Sequence, residues 1–178
     1  MSILEEINDT NDKTVNKNFS FVNTNARSLC PKIRSLLDCF SELHTNVAVL
    51  TETWLTTGPT LYKDIEDLRL GAGVGLLVRN RAAGPRGNSH GGVAIAFRES
   101  TCTFRSIAIH NPQQFKVLAA LGTVPGHPRK VLVLACYMPP GDNTLRGNSC
   151  LDFIQDLLVL LKRKYSNPYI ILRGDFNQ

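Results

Sequence analysis

The sequence has no run approaching the ~18–20 uninterrupted apolar residues of a membrane-crossing helix, so a helical membrane protein is not expected. The N-terminus (Met1-Ser-Ile-Leu-Glu5-Glu6) has no basic segment followed by an apolar one, so no secretory signal is expected either. No two cysteines have CxxC spacing. The five (Cys30, Cys39, Cys102, Cys136, Cys150) are odd in number and scattered, which argues against a disulfide framework. Most sit in apolar runs, so buried free thiols in a reducing compartment are expected, placing the protein inside the cell, in nucleus or cytoplasm. None of the four histidines has zinc-ligand spacing to a cysteine or another histidine. Internal repeats and low-complexity tracts are also missing, which excludes solenoids and arrays.

What is present fits one globular domain. The chain has 178 residues, 43% of them hydrophobic, enough for a sizeable core. Residues 1–18 are polar, Asn-rich and without periodicity, and read as a disordered tail ahead of a domain over 19–178. In that tail Glu5, Glu6, Asp9 and Asp12 face Lys13 and Lys17. Its net charge is −2, and with a chain total of +5 the body carries +7. A basic body suits a polyanionic partner, though charge alone fits an ordinary basic domain equally well.

Along the chain, apolar β-prone runs alternate with helical periodicity. Phe19–Val22 reads as a strand. Leu29, Ile33, Leu36, Leu37, Phe40 and Leu43 recur at helical spacing after it, and Val47–Leu50 is the next strand, which makes a βαβ-like unit. Val74–Val78, Val93–Phe97, Phe104–Ile109 and Phe115–Leu121 are further strands. A basic Gly/Pro-containing loop over 79–90 carries Arg79, Arg81 and Arg86. Val131–Tyr137 is nearly continuous in apolar residues, so a central strand covered on both faces is expected. Ser149–Asp152 has capping-box spacing at the start of a helix whose apolar face is Leu151, Ile154, Leu157, Leu158 and Leu161. Tyr169–Leu172 is the last strand. The fold class is α/β with mixed sheets.

Four of these strands end in polar groups. Phe19–Val22 delivers Asn23 and Asn25, two residues apart and so on one side of an extended chain. Val47–Leu50 delivers Glu52, the Val131 strand Tyr137, and Tyr169–Leu172 delivers Asp175 and Asn177. Gly174 removes a side chain that would crowd a ligand there. Strand ends of this kind gather around a crevice in open α/β sheets, and carboxylates with amides suit a hard cation such as Mg²⁺. Singly, each has a plainer reading: Glu52 as a solvated strand end, Asn23 and Asn25 as turn formers, Tyr137 as core, Gly174-Asp175 as a turn.

In order, Asn23-Thr24-Asn25-Ala26-Arg27-Ser28, Thr51-Glu52-Thr53-Trp54-Leu55, Gly91-Gly92-Val93-Ala94-Ile95, Tyr137-Met138-Pro139-Pro140-Gly141 and Gly174-Asp175-Phe176-Asn177 resemble the motifs of the endonuclease/exonuclease/phosphatase superfamily. Within it the chain resembles the apurinic/apyrimidinic-like endonuclease domain of non-LTR (LINE-type) retrotransposons. The resemblance implies a four-layered, DNase-I-like α/β sandwich and Mg²⁺- or Mn²⁺-dependent nicking of DNA phosphodiesters, with DNA as partner and neither membrane nor organic cofactor. Glu52 would hold the metal, with Asn25 near it. Asn23 would bind phosphate or brace the site. Tyr137 would donate to the phosphoryl group, Asp175 would deprotonate the attacking water, and Asn177 would fix that water. Arg27, Arg79, Arg81 and Arg86 would contact DNA phosphates. Relatives continue to a Ser-Asp-His motif beyond the last residue here. The resemblance therefore implies the N-terminal portion of the sandwich, with one face of the last helix and an edge of the Val131 and Tyr169 strands exposed. The alternatives are an inactive truncated remnant, or a phosphodiesterase or phosphatase of another branch.

Overall fold

A computed structural model describes residues 19–55, 71–80, 91–110, 114–139 and 144–176. Its elements in chain order are β1 (Phe21–Asn25), a 3-10 turn (Cys30–Lys32), α1 (Ile33–Ser41), β2 (Val47–Thr51), β3 (Val74–Arg79), β4 (Val93–Arg98), β5 (Thr103–Ile107), β6 (Lys116–Thr123), β7 (Val131–Tyr137), α2 (Thr144–Lys164) and β8 (Tyr169–Asp175). Among the described residues the strands form two four-stranded sheets, ordered β1-β2-β4-β3 and β5-β6-β7-β8. Each sheet has one parallel pair at one edge, β1 with β2 and β7 with β8. The remaining pairs are antiparallel.

Strand alternation builds three apolar layers. Val47 and Val49 of β2 and Val131, Val133 and Ala135 of β7 meet between the sheets, with Val93, Ile95, Leu118 and Ala120. The opposite faces take the helices. Ala48, Leu50, Ala94 and Ala96 pack against Leu36 and Phe40 of α1, and Leu132, Leu134 and Cys136 pack against Cys150, Ile154, Leu157 and Leu161 of α2. The order helix, sheet, sheet, helix is a four-layered α/β sandwich of the DNase-I-like kind. Every residue of β2 and of β7 is buried, as the apolar runs lead one to expect for doubly covered strands.

Several expectations shift. Among the described residues β7 lies inside its sheet, between β6 and β8, so of the Val131 and Tyr169 strands only the latter is at an edge. α2 opens at Thr144, ahead of Ser149, so the capping-box spacing at Ser149 lies within the helix and marks no terminus. The buried face of α2 runs Cys150, Ile154, Leu157, Leu161, a spacing of 4, 3 and 4. That phase turns Leu151 out to solvent along with Val159 and Leu160. α1 ends at Ser41, which leaves Leu43 exposed. All five cysteines are free. Cys102, Cys136 and Cys150 are buried, but Cys30 is exposed on the 3-10 turn. Burial pushes the Cys102 thiol up to about 11 and raises those of Cys136 and Cys150, so the buried thiols are inert at neutral pH. The expected tail over 1–18 lies outside the described residues. Among the described residues, no helix is long and apolar enough to cross a membrane.

Candidate functional site

The parallel edge pairs bring their C-terminal ends to one place. On β1, Phe21 packs between the sheets, so Asn23 and Asn25, two and four residues on, face the same gap. On β7, Tyr137 follows Val131, Val133 and Ala135 on the inter-sheet face and is buried there. On β8, Ile171 packs in that layer, and Asp175 shares its parity. Register completes the frame: Asn25 is opposite Thr51, just before Glu52, and Tyr137 is opposite Asp175.

Glu52 breaks the alternation. It follows Ala48 and Leu50, which point toward α1, so a regular strand would send it away from the gap. Instead its backbone is left-handed at φ 51°, as is that of Trp54 at φ 52°. Each such residue costs on the order of 1–3 kcal/mol and persists only where its surroundings hold it. Here the chain is held from both sides. Ala26 N–H donates to the Thr51 carbonyl (2.8 Å), Ser28 N–H to that of Glu52 (2.9 Å) and Leu29 N–H to that of Thr53 (2.9 Å). From the other side, Thr53 and Trp54 N–H donate to Gly92 (3.4 Å) and Gly91 (2.9 Å). Gly92 is itself left-handed at φ 88°, and a Cβ there would sit 2.6 Å from Thr53 Oγ1. The diglycine is the feature that lets this clamp close, and Gly91-Gly92 ahead of an apolar strand was its only trace in the sequence.

Two hydrogen bonds then link the four corners across the sheets. Tyr137 OH donates to Glu52 Oε1 at 3.3 Å, and Asn25 Nδ2 donates to Asp175 Oδ2 at 3.0 Å. Asn25 Oδ1 accepts from Arg27 N–H (3.1 Å), so both ends of its amide are engaged. Asn23 Nδ2 donates to the Gly174 carbonyl (3.2 Å), tying β1 to the peptide just before Asp175. Glu52 and Asp175 are half-buried, whereas Asn23 and Asn25 are exposed. The set is therefore open to a ligand on its outer side and backed by the inter-sheet core.

Gly174 serves the fold more than the ligand. A Cβ there would lie 2.0 Å from the Cys136 carbonyl oxygen, so a side chain would collide with the neighbouring strand. Arg27 is exposed, with a left-handed backbone (φ 42°), on the segment bonded to Glu52. Arg79 lies at the end of β3 rather than in a loop, and its Nη2 donates to the carbonyl of Ile109, two residues past the end of β5 (3.4 Å). That bond ties the end of β3 to the segment that follows β5. Arg81, Arg86 and Asn177 lie outside the described residues.

Among the described residues, no group of three or more His, Cys, Asp or Glu side chains could hold a metal ion. The donor set still fits a hard cation: Glu52 and Asp175 offer carboxylate oxygens, and Mg²⁺ commonly takes one or two carboxylates, completing its shell with water and substrate phosphate.

No protein-family model matches the sequence, and no curated protein matches it. Solved structures do. TDP2 of D. rerio, in complex with a single-strand DNA product, aligns over 90% of this chain and 61% of its own at 18% identity, with a TM-score of 0.57. The 3'-5' exonuclease NExo from Neisseria meningitidis aligns over 88% of this chain and 57% of its own at 21% identity, with a TM-score of 0.56. ANGEL2, a 2',3'-cyclic phosphatase, aligns over 90% and 54% at 16% identity, with a TM-score of 0.60. These proteins are members of the endonuclease/exonuclease/phosphatase superfamily, and this chain shares their fold. It spans 57–66% of the length of the first three structures it matches.

Proposed function

We propose that the chain is a divalent-metal-dependent nuclease domain of the endonuclease/exonuclease/phosphatase superfamily, nicking DNA phosphodiesters as part of a non-LTR retrotransposon protein. The observation that carries this reading is the pairing of Glu52 with Tyr137 and of Asp175 with Asn25 at four strand ends from two sheets. The motif order in the sequence supports the retrotransposon branch.

In this reading Glu52 would hold the cation, in the orientation that Tyr137 fixes. Such a cation, when bound, offsets the negative charge that develops on the phosphoryl and leaving oxygens. Asp175 takes the proton of the attacking water. Asn25 keeps its carboxylate aimed, and a base held in hydrogen-bond reach contributes roughly 10²–10⁴-fold. Asn23 braces the peptide that carries Asp175. Tyr137 would turn its hydroxyl from Glu52 toward a phosphoryl oxygen as charge builds there. Asn177 is assigned to the water and Arg27, Arg81 and Arg86 to backbone phosphates, with Arg79 the weakest of the four because its guanidinium already binds Ile109.

Incubating supercoiled plasmid with the protein and Mg²⁺ tests this. Conversion to open circle is expected, lost on adding EDTA or on Asp175→Asn. Absent nicking, or nicking indifferent to Asp175→Asn, contradicts the proposal. A phosphatase reading is favoured by one observation, that matched folds include a 2',3'-cyclic phosphatase. Release of phosphate from a 3'-phosphorylated oligonucleotide with the plasmid left intact would select it.

A further inference from the structure

We propose that Trp54 is a stacking platform for an unpaired nucleobase beside the reacting phosphate, so that the substrate presents an unpaired base at this site. The inference rests on the function proposed above and names its substrate class. Trp54 is the chain's single tryptophan, and it is 36% exposed while Thr53 and Leu55 on either side are buried. It stands two residues from Glu52, which is also turned away from the buried row.

The ring is carried by a fixed frame. A bulky residue rarely adopts a left-handed backbone, yet Trp54 does, at φ 52°. Its N–H donates to the Gly91 carbonyl at 2.9 Å, and the Glu52 carbonyl two residues earlier accepts from Ser28. Arg27, exposed and one residue before Ser28 in that bonded segment, supplies a cation on the strand-end segment clamped to Glu52. A rigid π face and a guanidinium flanking a carboxylate pair are the elements that bind single-stranded nucleic acid. Every base has a π face to stack, and every linkage has a phosphate to pair. A relaxed, blunt duplex keeps its base faces covered and offers one only after extrusion, whereas supercoiling in a plasmid favours local strand opening. An inositol phosphate has no such face at all.

As the only tryptophan, Trp54 reports on itself. The Asp175→Asn chain, titrated with a short oligothymidylate, is expected to show quenched emission. The blunt duplex of the same length, and inositol trisphosphate, are expected to leave emission unchanged at equal concentration. Trp54→Ala is expected to weaken binding of a labelled oligothymidylate about tenfold by anisotropy, with Trp54→Phe retaining most of it. Oligonucleotide binding with unchanged emission overturns the proposal. So does quenching by the duplex as strong as by the single strand, quenching by inositol trisphosphate in place of the oligonucleotide, or no oligonucleotide binding. Quenching in a protein that fails to nick plasmid leaves the stacking site standing and removes the nuclease reading alone.

Discussion

Of the strands that reach the site, the interior pair β2 and β7 and the edge pair β1 and β8 are built to different rules. Every residue of the central pair is buried. The edge pair is nowhere fully buried, and β1 is exposed from Asn23 to Asn25. Each parallel pair joins one strand of each kind, and each pair contributes one residue at the end of a buried strand and one from an edge strand: Glu52, just past β2, with Asn25, and Tyr137 with Asp175. The hydrogen bonds then cross between sheets, buried-strand residue to buried-strand residue and edge residue to edge residue. The central strands set position, and the edge strands set access. A site at the end of a doubly buried pair would be closed to a polymer. One made only from edge strands would lack the packing that keeps carboxylates in place.

The division can be broken selectively. Asp175→Asn, on the edge side, should lower the hydrolysis rate by roughly 10²–10⁴-fold and leave the urea midpoint unchanged. A matched loss of stability would show that the edge also carries the fold. Leu134→Ala removes a fully buried side chain of β7 and should cost about 2–5 kcal/mol in urea unfolding. Leu172→Ala on β8, where the side chain is 37% exposed, should cost well under that, about 1 kcal/mol or less. Equal costs would erase the distinction between centre and edge. Tyr137→Phe removes one hydroxyl that donates to Glu52 and keeps the ring in the core. Its stability cost should be about 1 kcal/mol, and the weakened hold on Glu52 should appear as a higher Mg²⁺ requirement. An unchanged Mg²⁺ requirement would separate Tyr137 from the metal side of the site.

Much of this division was legible in the sequence. The unbroken apolar run Val131–Tyr137 marked a doubly covered strand, and the strand-end position of Asn23, Asn25, Tyr137 and Asp175 follows from where apolar runs stop. Period-2 alternation then puts all four on one side of their sheets, as the fold shows. Glu52 was harder. Its motif singles it out, but alternation sends it to the wrong face, and the left-handed turn that returns it depends on Gly91-Gly92, some 40 residues away. A backbone conformation imposed by a distant clamp leaves no local signal. The same applies to α2. Its apolar residues were plain, but whether Cys150 or Leu151 faces the sheet depends on which phase packs against Leu132 and Leu134. Arg79 read as part of a basic loop because charge marks a loop by correlation only. Pairing of β3 with β4 through Arg79 and Val93 draws it into the sheet.

Mn²⁺ titration of the isotope-labelled chain, followed by NMR, tests most directly the proposal that the four strand ends act as one cation-holding centre. Signals of the Asn25 side-chain amide and of the Glu52 and Asp175 peptides should broaden together at the lowest Mn²⁺. Those of Thr103 and Thr123, at the far end of the second sheet, should stay sharp, and Glu52→Gln should abolish the effect. Broadening centred elsewhere, or broadening at Asp175 that survives Glu52→Gln undiminished, would contradict it.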